Sequence, residues 1–85
     1  MKLPVIKHIN KLIEEKDQDF VLEAIEVLEH ITESSSLKDE DIDVIGELIS
    51  NMYGAIEVNT LMKNGMSERD ASNTFMKRVM GSIDS

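Results

Sequence analysis

Few residues in this chain have the type and spacing to do chemistry, and each set can be held against what its chemistry requires. Asp39-x-Asp41-x-Asp43 has the rhythm of a calcium-loop start. A calcium loop of the EF-hand kind continues with Gly at its sixth position and a bidentate Glu at its twelfth. Val44 and Ser50 stand there instead. The three acids are therefore expected in the first turns of a helix, where carboxylates oppose the helix dipole. His8 and His30 fall in different segments, without the three- or four-residue spacing that places two ligands on one helical face, and read as surface residues. Tyr53 is the only tyrosine, with no second chemical group at recognisable spacing, and is expected to be partly buried with its hydroxyl at the rim. Cysteine is absent, which removes disulfides, thiolate metal sites, iron–sulfur clusters and thiol redox chemistry together. These residues point to no enzyme activity, no cofactor and no metal.

The most specific local pattern is steric. Gly46, Ser50 and Gly54 recur every four residues on one helical face. Glycine inside a helix costs up to about 1 kcal/mol relative to alanine, so close approach of another helix must offset that cost twice. Two outcomes stay open: packing within the chain, or a slot for a second copy or partner helix. Met52 and Tyr53 flank the run, and Gly46, Ser50, Met52, Tyr53 and Gly54 together form the candidate packing or interaction face. Six methionines, most of them late in the chain, suit an irregular core or an adaptable contact surface.

The elements that must position these residues are all helical. Leu3, Ile6, Ile9, Leu12 and Ile13 make one apolar stripe, with Pro4 placed where a first helical turn tolerates it. Phe20, Val21, Ala24, Ile25, Leu28 and Ile31 make a second, behind Lys16-Asp17-Gln18-Asp19, where Asp17 or Asp19 suits an N-cap. No Gly or Pro enforces that break, so one continuous helix from Pro4 to Glu33 is the alternative. Ser34-Ser35-Ser36 reads as a loop, and Ser36 with Asp39 as a capping box. A long helix follows, apolar at Ile42, Ile45, Leu48, Ile49, Met52, Tyr53, Ile56, Leu61 and Met62, until Asn64-Gly65 stops it. Ser67 caps a last helix, expected to carry Ala71, Phe75 and Val79 inward and to end at Gly81, with Ser82–Ser85 frayed. The prediction is one all-α domain over residues 1–85. It is a small bundle of four helices at about 4–15, 19–33, 38–64 and 67–81, or three if residues 16–19 do not break the first, around a long central helix.

The net charge of −8 is unevenly placed. Between Glu14 and Glu47 stand thirteen acids against Lys16 and Lys38, or 2 − 13 = −11; the remainder carries seven Lys/Arg against four acids, or +3. Such a surface repels a phosphate backbone, so no nucleic-acid partner is expected. No apolar stretch approaches the roughly 18 residues of a membrane span, and the start lacks a signal-peptide pattern. A cytoplasmic protein is the expectation.

Two partial likenesses can be compared residue by residue. Acyl carrier proteins are short, acidic and four-helical, but take their prosthetic arm on the serine of Asp-Ser-Leu; Ser35-Ser36-Leu37 departs from that motif. Asn64-Gly65-Met66-Ser67 with Asp70-Ala71 resembles the helical hairpin of carboxymuconolactone decarboxylase-like domains, whose redox members use a Cys-x-x-Cys pair that this chain lacks. Over nearly its whole length the chain resembles a small bacterial family of helical domains of unknown function. The resemblance rests on Lys2-Leu3-Pro4-Val5-Ile6-Lys7-His8, Asp43 to Ala55, and Asn73-Thr74-Phe75-Met76. A core this small is marginal, and without disulfides self-association is one way to complete it. The sequence thus points to a non-enzymatic interaction module, either a homo-oligomer such as a dimer or the binder of a bacterial protein partner. The alternative is a small carrier or ligand-binding bundle.

Overall fold

With Pro4 in its first turn, α1 spans Leu3–Glu15. The computed structural model describes residues 2–84, the last four by backbone alone, and holds no strand among them. α2 spans Gln18–Ile31, α3 Asp39–Lys63 and α4 Glu68–Asp84. The separation of α1 from α2 is made by one carboxylate. Asp17 is fully extended, and its Oδ1 accepts the Phe20 N–H at 2.8 Å, so a new helix starts where the old could have continued. Four helices form, and the continuous alternative does not.

The other boundaries also have local causes. α3 ends in a Schellman turn: the Met66 N–H reaches the Leu61 carbonyl at 3.2 Å and the Gly65 N–H that of Met62 at 3.0 Å. This closure needs Gly65 at a φ of 108°, a conformation only glycine takes freely. Ser67 Oγ then accepts the Asp70 N–H at 3.1 Å and begins α4. At the start of α3 the expected Ser36–Asp39 box is not the one that forms. The serines are spent on the turn, where the Ser34 hydroxyl accepts the Ser36 N–H at 3.3 Å. The helix starts two residues later, with the Lys38 N–H donating to the Asp41 carboxylate at 3.1 Å. Gly81 does not end α4, which runs through it to Asp84; glycine inside a helix costs energy but forms no cap unless it turns left-handed. Met1 and Ser85 lie outside the described residues.

Three helices surround the C-terminal half of α3. α1 runs parallel to it, with Lys2 beside Asn51 and Asn10 beside Asn59. α2 returns antiparallel from Gln18, which meets Asn59 and Thr60. α4 folds back so that Phe75 lies over Gly54 and Arg78 pairs with Glu57 at 3.0 Å. α1 starts level with Asn51, so α3 from Asp39 to Ser50 lies beyond it. All five buried residues of α3 fall between Asn51 and Asn59.

The centre is therefore built from smaller and more polar groups than periodicity predicts. The buried α3 residues are Asn51, Gly54, Ala55, Val58 and Asn59, and none belongs to the large apolar series read from the sequence. Ile45, Ile49, Met52 and Ile56 are only half-buried, and Leu48 is exposed by nearly half. The reason is steric. Where three helices converge on a fourth, short side chains let the backbones approach, and the bulky residues flank the junction.

Candidate functional site

Two constellations can be built from the side chains upward. The first is a polar relay through the core. Gln18 Nε2 donates to Asn59 Oδ1 at 3.0 Å, Asn59 Nδ2 to Asn10 Oδ1 at 3.0 Å, and Asn10 Nδ2 to Glu68 Oε2 at 3.3 Å. Each step crosses to a new helix, so the relay joins α2, α3, α1 and α4 in turn. Asn10 and Asn59 are each about 1% exposed, where an unpaired amide would be costly. A second tie sits nearby: the Lys2 N–H, an orphan of the first turn of α1, donates to the buried Asn51 Oδ1 at 3.0 Å. These groups hold helix register. Carboxamides do not ionise near neutral pH, so the amide members of the relay are poor acids and bases. Asn10 was visible as a polar residue interrupting the stripe of Ile6 and Ile13, but pairing it with Asn59 needs the fold.

The second constellation is an apolar groove between α1 and α2. Val5, Ile9 and Leu12 line one wall at three- and four-residue spacing, and Phe20, Ala24 and Leu28 the other. Leu48 and Met52 of α3 form the floor, the lining is wholly apolar, and the volume is about 290 Å³. The groove exists because α1 and α2 diverge from the Asp17 joint and touch each other far less than each touches α3. On the outer surface of α2 the apolar stripe continues through Val27 and Ile31, and on α3 through Val44 beside Leu48. Leu48 is 45% exposed, Phe20 48%, and Val27 and Val44 60% each. Leu12, Phe20 and Ile31, members of the apolar stripes, thus stay partly exposed; only Ile6, Ile13, Val21 and Ile25 of α1 and α2's apolar residues are fully buried.

Size and shape are those of an open bundle. A monomer of 9.6 kDa is expected to expose about 5,100 Å²; this chain exposes 5947 Å². Its radius of gyration is 13.8 Å, against about 12 Å for a compact domain of this length. The body measures 43 × 34 × 18 Å, a slab with a broad face.

The five residues singled out from the sequence do not share one environment. A Cβ on Gly54 would lie 2.9 Å from Phe75 Cζ and 3.1 Å from Ile6 Cδ1, so this glycine is closed over by its own chain. A Cβ on Gly46 would meet nothing within 4 Å. Ser50 and Tyr53, together with Gly54, line a wide, shallow depression formed by α3 beside Phe75 of α4, and Tyr53 is 47% exposed. Met52 alone lies in the apolar groove. His8 and His30 are exposed on separate helices, and among the described residues no three His, Asp or Glu side chains gather as a metal site requires. No helix among them is long and apolar enough to cross a membrane.

The match that bears on identity covers almost the whole chain, residues 1–84, and is to the model of a family of unknown function, DUF6952. The chain belongs to that family. No curated protein and no solved structure matches it. Membership brings no activity with it, so the site has to be interpreted from its own geometry.

Proposed function

We propose that this chain is a cytosolic, non-enzymatic protein-interaction module that works through the apolar face centred on Leu48. The observation that supports it is the concentration of uncovered apolar side chains from three helices on one side of a slab. Isolated exposed apolar residues are ordinary, whereas a contiguous patch rimmed by charge marks a contact surface. Met52 contributes to this face from below. Gly46, Ser50 and Tyr53 lie on the other side of α3, where a second contact has room.

The test is association of the tagged chain in its native cells, wild type against Leu48→Glu. The wild type is expected to hold another polypeptide, its own or a partner's, and Leu48→Glu to lose it while keeping its helical circular dichroism. Absence of any Leu48-dependent association overturns the reading. A second reading, a ligand-binding bundle, draws on the same groove, whose volume of about 290 Å³ lies near the lower limit of roughly 300 Å³ for small-molecule sites. A native mass spectrum showing a bound small molecule on a single chain would favour it.

A further inference from the structure

We infer that Asn64 is a site of spontaneous covalent modification, held unreactive by the closed α3–α4 turn and converted to isoaspartate when that turn opens. The apolar face plays no part in it. The reactive pair is Asn64-Gly65. The backbone nitrogen that follows an asparagine can attack its side-chain carboxamide, and a side chain on the attacking residue crowds the approach. Glycine has none. Of the five asparagines, only Asn64 precedes a glycine. Asn10, Asn51 and Asn59 are buried, and the exposed Asn73 precedes the β-branched Thr74 within α4. Asn64 and Gly65 are both exposed, so water and base reach them.

The chemistry balances with solvent alone. Base takes the Gly65 N–H proton, the nitrogen bonds to Cγ of Asn64, and the Cγ–Nδ2 bond breaks to release ammonia. Water then opens the cyclic imide. Attack at the side-chain carbonyl leaves aspartate, and attack at the main-chain carbonyl leaves isoaspartate. The closed turn blocks the first step twice. The Gly65 N–H is donated to the Met62 carbonyl at 3.0 Å. Ring closure also needs that nitrogen on the Cβ side of Asn64, whereas a ψ of 8° eclipses it with Asn64's own backbone nitrogen. Asn64 cannot rotate alone. Its N–H is held by the Thr60 and Leu61 carbonyls at 3.1 and 3.2 Å, and the Met66 N–H by Leu61 at 3.2 Å. Opening comes first, and such local opening is cheaper than unfolding the whole chain.

Once converted, the turn does not re-form. Isoaspartate carries the main chain through its side-chain carbon, which lengthens the backbone inside the Schellman closure. Its carboxylate stands at the C-terminal end of α3, where the helix dipole disfavours negative charge. α4 then loses the register that sets Phe75 over Gly54 and Glu68 against Asn10.

The test incubates the full chain, folded and in guanidinium chloride, at mildly alkaline pH. Isoaspartate is counted with protein isoaspartyl methyltransferase and radiolabelled S-adenosylmethionine, and located by mass spectrometry of the tryptic peptide 64–69. Label is expected at position 64, forming at least about tenfold more slowly in the folded chain, as for a turn open in a tenth of molecules or fewer. Ser67→Ala removes the hydroxyl that accepts the Asp70 N–H and leaves Asn64-Gly65 intact. It is expected to raise the folded-state rate severalfold, with helical circular dichroism retained and the rate in denaturant unchanged. The converted chain, separated by ion exchange, is expected to unfold at lower urea. Equal rates with and without denaturant overturn the gating, and label at another asparagine in place of Asn64 overturns the site. A Ser67→Ala rate equal to wild type overturns this turn as the gate, and an unchanged urea midpoint overturns its loss on conversion.

Discussion

The two halves of α3 solve the same problem in opposite ways. From Asn51 to Asn59 the helix is enclosed by three neighbours, and its buried residues are Gly, Ala, Val and two Asn. From Asp39 to Ser50 it has bulkier apolar side chains and fewer neighbours, so Val44 and Leu48 face water. Burial in this protein follows where helices converge rather than how apolar a residue is. The enclosed half defines the fold, and the open half supplies a surface.

That contrast is sharpest at its two glycines, eight residues apart on the same helix. Gly54→Leu is expected to give the largest effect, a loss of about 3 kcal/mol or more, because overpacking a tight contact costs 1–3 kcal/mol and here the added atoms meet an aromatic ring and a neighbouring helix. In a chain of this size that approaches the whole stability, and a urea melt should show little or no folded baseline. A native-like midpoint would mean that Phe75 and Ile6 do not close over Gly54.

Asn59→Ala comes next. It leaves both Asn10 and Gln18 short of a partner, and an unsatisfied buried amide costs about 1–3 kcal/mol. The expected lowering of the urea midpoint should shrink when Asn10→Ala is added, since the two side chains share a hydrogen bond; simple additivity would break the relay. Asn51→Ala removes the acceptor for the Lys2 N–H, comparable to losing a helix cap, about 1 kcal/mol. Hydrogen exchange should then show the first turn of α1 opening more often.

The smallest effect carries the opposite sign. Gly46→Ala is expected to raise the melting temperature modestly, by removing about 0.5–1 kcal/mol of glycine's helix penalty, since nothing occupies the space its Cβ would enter. A fall instead would show that something closes on the Gly46–Ser50 side in solution, and would move the interaction surface to that side of α3.

Local chemistry accounts for how legible the helices were. Asp17, Gly65 and Ser67 act on backbone groups within a few residues, so their effects could be read from neighbouring letters. The Ser36 cap was misplaced because Asp41 competes successfully two residues further on. The stripes of α1 and α2 were legible as apolar faces, but which members would be buried was not. Spacing says which residues share a side; it does not say how many helices arrive on that side, and α1 and α2 diverge so that Leu12, Phe20 and Ile31 remain outside. Asn10 and Asn59 were hidden for a related reason, because their partners lie 49 positions apart.

By itself, then, the sequence determined an all-helical fold of four helices or three, the stop at Gly65 and restart at Ser67, the long central helix and the opposite net charges of the first two apolar segments. All of these follow from interactions within a turn or two of the chain. Only the tertiary structure decided that Gly54 is filled from within while Gly46 stays open, and that a chain of amides ties the helices together. It also decided that half of two apolar stripes is left to line a groove. Each of these depends on distances between helices, which no single helix specifies.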